Sequence, residues 1–371
     1  MYLIRIILLF SVCLWGWSQD GGKGIEVDFL GSYYDQTGEH SPVTGGIGDE
    51  ALTSASPVFV VRYVTPSQWS LSADLGVDNI TSASTDNMDL GEIGDHVSGA
   101  SRKDNRVFTT LSASHPFGNQ TWGFSVGFSG EYDYRSLNGG LNWSVDLNGK
   151  NTTLGAGVRH FADTIDLYGI DGIKRGTDDR TTTDFSLSLT QVLSQKTVGV
   201  LEFSLSEQSG FLSSPFQEVI LDTGEHVAER LPDSRSRMAL RLSVNHAFSP
   251  RLIQRAYIRA YDDDFGIQAQ TLELETHIRL PWQRETWLYP ILRYHDQSGS
   301  DYFGLPGVFS ETDEFFTADR DLGEFKSTKL GVGMSFSLPG RIRRFDWRAT
   351  YYDRDDGLSA FALSFGFGWS F

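Results

Sequence analysis

From Phe361 to Phe371 every second residue is large and apolar: Phe361, Leu363, Phe365, Phe367, Trp369 and Phe371. Ala362, Ser364, Gly366, Gly368 and Ser370 fill the positions between them. Successive side chains of an extended chain point to opposite faces, so this segment makes a strand with one aromatic face and one small, polar face. An edge strand of a soluble sandwich would show the same period. Six consecutive alternate bulky positions fit better a strand of a transmembrane barrel, greasy toward lipid and small toward the lumen, with aromatic residues near the interface.

The beginning of the chain points to the same compartment. Arg5 precedes the apolar run Ile6 to Trp15, and Gly16-Trp17-Ser18 offers small residues at the first and third positions before a cut. This is the pattern of a cleaved secretory signal over residues 1–18, too short to span a bilayer, followed by one barrel domain over residues 19–371. The single cysteine, Cys13, lies inside the signal, and Phe10-Ser11-Val12 before it lacks the small residues of a lipoprotein signal. The mature chain is thus expected to have no disulfide, no thiolate metal site and no attached c-type haem. After residue 18 no apolar run is long enough for a spanning helix, and the mean hydropathy is −0.26. That excludes a helical inner-membrane protein but not a barrel, whose strands carry a polar residue at every other position. The net charge, 31 − 48 = −17, argues against nucleic acid as a partner.

The rest of the chain falls into alternating segments of about ten residues, the length a tilted membrane strand needs. Trp122, Phe124, Val126 and Phe128 alternate with Gly123, Ser125, Gly127 and Ser129; Leu330, Val332, Met334, Phe336 and Leu338 alternate with Lys329, Gly331, Gly333 and Ser335. The repeats at three and four residues that a helix requires are missing. Sixteen strands are expected, near 24–34, 57–65, 69–79, 106–115, 121–133, 136–147, 152–164, 181–193, 197–208, 235–248, 252–263, 268–280, 286–298, 326–338, 345–354 and 359–371. The segments 57–65 and 252–263 alternate least cleanly, which leaves fourteen open. Short connections with turn chemistry, such as Pro66-Ser67, Asn148-Gly149, Ser249-Pro250 and Pro339-Gly340, alternate with connections that include long loops at 35–56, 80–105, 165–180, 209–234 and 299–325. The expected fold is therefore all-β: an antiparallel up-and-down transmembrane barrel with both termini periplasmic and the long loops external. At this strand number wall side chains alone do not fill the lumen, so it holds water, loops or another protein. No region has the composition of a separate plug domain.

Gly366, Trp369 and Phe371 resemble the C-terminal signal by which bacterial outer-membrane barrels are recognised by the barrel-assembly machinery. Several further stretches resemble one bacterial outer-membrane family, catalogued as domain of unknown function 3570: Ile80-Thr81-Ser82-Ala83-Ser84-Thr85-Asp86, Val97-Ser98-Gly99-Ala100-Ser101, Glu131-Tyr132-Asp133-Tyr134, Asn151-Thr152-Thr153-Leu154, Pro232-Asp233-Ser234-Arg235, Asp262-Asp263-Asp264-Phe265-Gly266-Ile267 and Arg293-Tyr294-His295. The resemblance runs through nearly the whole mature chain. It implies a barrel in the outer membrane of a Gram-negative bacterium, in contact with lipid and lipopolysaccharide, and brings no catalytic residues with it. Family gene neighbourhoods, with small lipoproteins and flavin-attaching enzymes, imply a link to envelope redox systems. On the strand map most of these stretches fall at the long-loop end.

Two groups of residues are candidates for function. The first is an extracellular collar of Glu131, Asp133, Asp233, Arg235, Asp262, Asp263 and Asp264. Carboxylates on neighbouring loops can hold calcium, although no EF-hand spacing is present, and solvated turns paired with Arg135, Arg235 and Arg237 are the simpler arrangement. The second is a lumen charge ladder: Arg237 and Arg241, then Arg255 and Arg259, then Glu273, Glu275 and His277, then Arg293 and His295, with Lys329 beyond. Opposed charges on neighbouring strands stabilise a polar wall, and in a porin they tune permeation. No convincing Ser/His/Asp set and no His-Glu zinc motif occurs, so no enzyme is expected. The tryptophans Trp69, Trp122, Trp143, Trp282, Trp287, Trp347 and Trp369 fit interfacial girdles. The expected function is a porin-like conduit for small polar solutes or ions, with no cofactor. Its rival is a non-conducting scaffold that houses a partner, for example a lipoprotein of an envelope redox system.

Overall fold

A computed structural model describes residues 24–82, 104–168, 173–282, 284–338, 340 and 342–371. The signal at 1–18 and the motif residues 83–86 and 97–101 lie outside the described residues. Sixteen strands close one antiparallel barrel. They are β1 (Ile25–Thr37), β2 (Leu52–Val64), β3 (Ser70–Ser82), β4 (Asp104–Phe117), β5 (Gln120–Gly130), β6 (Tyr134–Leu147), β7 (Thr152–Tyr168), β8 (Lys174–Ser194), β9 (Thr197–Gly210), β12 (Ser234–Ser249), β13 (Leu252–Asp263), β14 (Gln268–Arg279), β15 (Thr286–Gln297), β16 (Phe325–Ser337), β17 (Ile342–Arg354) and β18 (Ser359–Ser370). Two three-residue strands, β10 (Glu218–Ile220) and β11 (His226–Ala228), form a hairpin of their own inside the β9–β12 connection. The segments 57–65 and 252–263 are both strands, so the count is sixteen and not fourteen. Within the described residues no helix is long and apolar enough to cross a membrane.

Closure explains why alternation is so strict. Strand β18 pairs with β17 on one side and β1 on the other, placing Phe365, Phe367 and Trp369 opposite Gly31, Phe29 and Val27, all on the outer face. Gly366 and Gly368 face Leu30 and Asp28 on the inner face. A ring of strands leaves no sheet edge, so each strand pairs on both sides, as a hydrocarbon environment demands. Outward Leu75, Val126, Leu137, Leu187 and Leu330 are each more than half exposed, an arrangement suited to lipid and costly in water.

The connections are sharply asymmetric. At one end the turns are short, and Asn148, Gly149 and Lys150 all take positive φ (49°, 64° and 71°), the conformation for which Asn-Gly is suited. The other end carries the connections 38–51, 211–233 and 298–324. The long loop expected at 165–180 is instead mostly strand, because β7 and β8 stay paired up to Tyr168 and Lys174. Trp287 also departs from the girdle: it shares the inner face with Tyr289, beside His277.

Candidate functional site

The connections 38–51 and 211–233 spring from opposite points of the ring, since eight strands separate them in either direction. Sixteen strands at the usual spacing and tilt enclose a ring about 30 Å across. The two loops nevertheless touch: Glu218 N–H donates to Val43 C=O at 2.8 Å. They meet only by crossing the mouth. The third loop, 298–324, springs from a point midway along that arc and binds both. Arg320 donates from Nε and Nη2 to Gly45 C=O at 3.0 and 2.8 Å. Arg230 and Phe316 exchange backbone hydrogen bonds, and Asp222 N–H donates to Phe309 C=O at 2.7 Å. Val219, Phe316 and Ala318, with Val227 and Phe309 against them, form an apolar cluster within these two loops. The three loops therefore make a packed cap, although composition suggests no plug.

Wall residues bolt the cap down. Arg354 of β17 donates to Asp321 at 2.5 Å and stacks 3.9 Å above Phe325, and Gln297 of β15 donates to the carbonyls of Asp321 and Gly323. Gln36 of β1 donates to Glu50 C=O at 3.3 Å. Inside the cap Glu229 accepts from Ser214 N–H and the Thr317 hydroxyl, both at 2.5 Å. Burial, with Asp319 nearby, pushes the Glu229 carboxyl up to about 8 despite those two donors. Burial does the same to Glu50, also to about 8, and lifts half-buried Asp319 to about 6 with Asp321 beside it. The cap thus holds three carboxyls whose neutral forms are favoured by its closed packing.

The expected collar does not form one cluster. Glu131 and Asp133 sit at the β5–β6 connection, while Asp233, Arg235, Asp262, Asp263 and Asp264 lie at the β12–β13 side of the ring, several strands away. Glu131 is 3.6 Å from Arg106, and Asp133 is buried. Asp263 is fully engaged: it accepts from Arg235, from the Tyr261 hydroxyl at 2.7 Å and from the backbone N–H groups of Phe265 and Ile267. Asp264 accepts from Ser236 N–H, and Asp262 from the Gln268 amide. These carboxylates close a turn, and among the described residues no three His, Cys, Asp or Glu converge as a metal site.

The ladder residues, by contrast, share one inner face. In register Arg241 opposes Arg259, Arg255 opposes Glu275, Glu273 opposes Arg293, and Arg293 opposes Lys329. Glu275 gathers three partners: His277 Nε2 at 2.5 Å, Arg348 at 3.0 Å and Arg255 at 3.7 Å. Glu273 pairs with Lys329 at 3.2 Å, and Glu202 of β9 lies 3.4 Å from Arg241. His295 shares a 2.8 Å hydrogen bond with Thr271. Arg348 and Glu202 complete the wall and were readable from sequence, since Asp346, Arg348 and Thr350 alternate with Phe345, Trp347 and Ala349, and Glu202 lies between Leu201 and Phe203. On the opposite arc Ser125, Gly127, Asn138, Gly140, Gly157 and Ser186 face inward among further charges, since Arg159 stands across from Gly140 and Asp184, and Arg106 across from Asp78.

These features define a transmembrane β-barrel of the outer-membrane type, its mouth crossed by packed loops and its lumen lined by charged and small residues. The chain belongs to the family described as "Protein of unknown function (DUF3570)", whose model matches residues 79–362. Among solved structures it is similar in fold to a "Bacterial polysaccharide outer membrane secretin", with 12% identity, a TM-score of 0.55, and 94% of this chain and 99% of that one covered. It is also similar to CdiB from Acinetobacter baumannii, with 12% identity, a TM-score of 0.50, and 93% of this chain against 60% of that one. No curated protein matches the chain.

Proposed function

We propose that the protein is a conduit for small polar solutes in the outer membrane of a Gram-negative bacterium, with the long-loop end outside and the short-turn end in the periplasm. The observation that carries this reading is the mismatch between ring and filling. A wall about 30 Å across carries many inward glycines, serines, threonines and asparagines between its charged residues, and these small side chains cannot reach the axis. Charged residues of the wall keep access to open space: Glu202 is 44% exposed at its side chain and Arg241 27%. The cap then acts as a constriction over a water-filled lumen. Single-channel recording of the purified barrel in a planar bilayer tests this. Steady openings of one size are expected. A heat-modifiable, folded barrel that stays silent overturns the conduit. It would favour the second reading, in which the cap is the lid of a scaffold that houses a partner such as an envelope lipoprotein.

A further inference from the structure

We infer that the lumen wall carries a binding site for an oxyanion, formed by Arg241, Arg259 and Arg293. This names the solute class for the conduit proposed above, and its transport arm rests on that reading. Arg241 and Arg259 stand directly opposite each other on β12 and β13. Like charges in that relation destabilise a strand pair unless a counter-charge sits between them. Arg293 joins them from β15: Arg259 faces Thr271, Thr271 faces His295, and Arg293 lies two residues from His295 on the same inner face.

The carboxylates of this arc are engaged elsewhere. Glu273 goes to Lys329, and Glu275 to His277, Arg348 and Arg255. Glu202 reaches Arg241 alone, at 3.4 Å. Among the described residues no carboxylate pairs with Arg259 or Arg293, and neither donates a hydrogen bond. Arg241 Nε is buried without an acceptor. In a chain of net charge −17, positive charge left uncompensated is a local exception. The guanidinium groups are also held in place. Arg241 stacks 4.2 Å from the Tyr257 ring centroid and Arg259 5.4 Å from that of Tyr261. Stacking fixes the plane of each group and leaves its N–H groups for a ligand. Planar, fixed guanidiniums match the paired oxygens of carboxylate, phosphate or sulfate, which the structure assigns as the ligand chemistry.

The test uses the full barrel and two readouts: the reversal potential in a KCl gradient, and binding of inorganic phosphate to the detergent-solubilised protein by calorimetry. The wild type is expected to prefer chloride over potassium and to bind phosphate. The variant Arg259→Gln/Arg293→Gln should lower the chloride-to-potassium permeability ratio by about three- to tenfold, the effect of removing two nearby charges from a watery lumen. Arg259→Lys, which keeps the charge and loses the fork, should retain selectivity and weaken phosphate binding. Heat-modifiability on gels confirms that each variant is folded. A conducting barrel with unchanged selectivity in the double variant and no phosphate binding overturns the oxyanion site and leaves the conduit standing. A silent barrel that binds phosphate, with binding lost in the double variant, supports the site and removes the conduit. A silent barrel without phosphate binding overturns both.

Discussion

Gly333 shows how much one missing side chain does in this wall. It pairs across the strands with Tyr289, and a Cβ placed on it would lie 2.0 Å from the tyrosine ring. The ring covers the glycine, an arrangement that protects an otherwise weak strand position. Tyr289 also stacks 4.9 Å from His277, whose Nε2 bonds Glu275. Gly333→Ala must therefore expel the ring and loosen the charged network behind it. Overpacking of this kind costs about 1–3 kcal/mol. A lower urea midpoint with an unchanged slope is expected for Gly333→Ala, while Gly139→Ala, whose Cβ meets nothing closer than 3.9 Å, should unfold like the wild type. An unchanged midpoint for Gly333→Ala would show that the ring position is not constrained. Parity alone placed Arg241, Arg259 and Glu273 on one face, because each is flanked by clear lipid-facing residues. It could not place Trp287, since Trp287-Leu288-Tyr289-Pro290-Ile291-Leu292 is apolar at both parities and has no readable face. Nor could it find the Tyr289–Gly333 contact, which depends on the register of two strands.

At the scale of elements, the strands were legible and the cap was not. Strand boundaries follow from a local period of two. The cap instead joins Val219 to Phe316, nearly a hundred residues apart, through irregular backbone with no period to read. Glu131 and Asp263 lie at one end of the barrel, as strand parity and direction imply, but the ring separates them, and no local pattern reveals that distance. The cap's carboxyls predict a pH-dependent closure, and the sign follows from their shifts. Glu229 and Glu50 rise from 4.5 to about 8, and Asp319 from 3.8 to about 6, so the closed cap binds more protons than an opened, solvated one. Closure is fully supported below the solvated values and is lost as pH climbs through the closed-state values. Each carboxyl changes the opening constant by at most about tenfold per pH unit within its window. Hydrogen exchange of the 211–233 and 298–324 amides, corrected for intrinsic rates, should show protection falling from pH 5 to pH 9. Glu229→Gln should blunt that fall, since the amide can accept from Ser214 N–H and donate to the Thr317 hydroxyl. Protection that stays flat with pH in the wild type would remove these carboxyls from control of the cap.

At the scale of the whole molecule, the ring and the crossing loops constrain each other. A closed wall fixes where each loop starts, so the backbone contact between residues 43 and 218 requires a span over the mouth from opposite sides. No contact within a wall of neighbouring strands could mimic it. The chain's single cysteine, Cys13, falls within the proposed signal, so introduced cysteines would have no competitor in the mature protein. Val43→Cys combined with Glu218→Cys should form a disulfide on mild oxidation of the folded barrel, because the main chains there are already at hydrogen-bond distance and such a bond needs Cα atoms about 4.4–6.8 Å apart. Each single variant should remain monomeric and free. If the cap constricts a working conduit, oxidation of the double variant should also lower and steady its conductance, and reduction should restore it. If the loops stood upright on the rim, the two sites would be about 30 Å apart and no intramolecular bond would form.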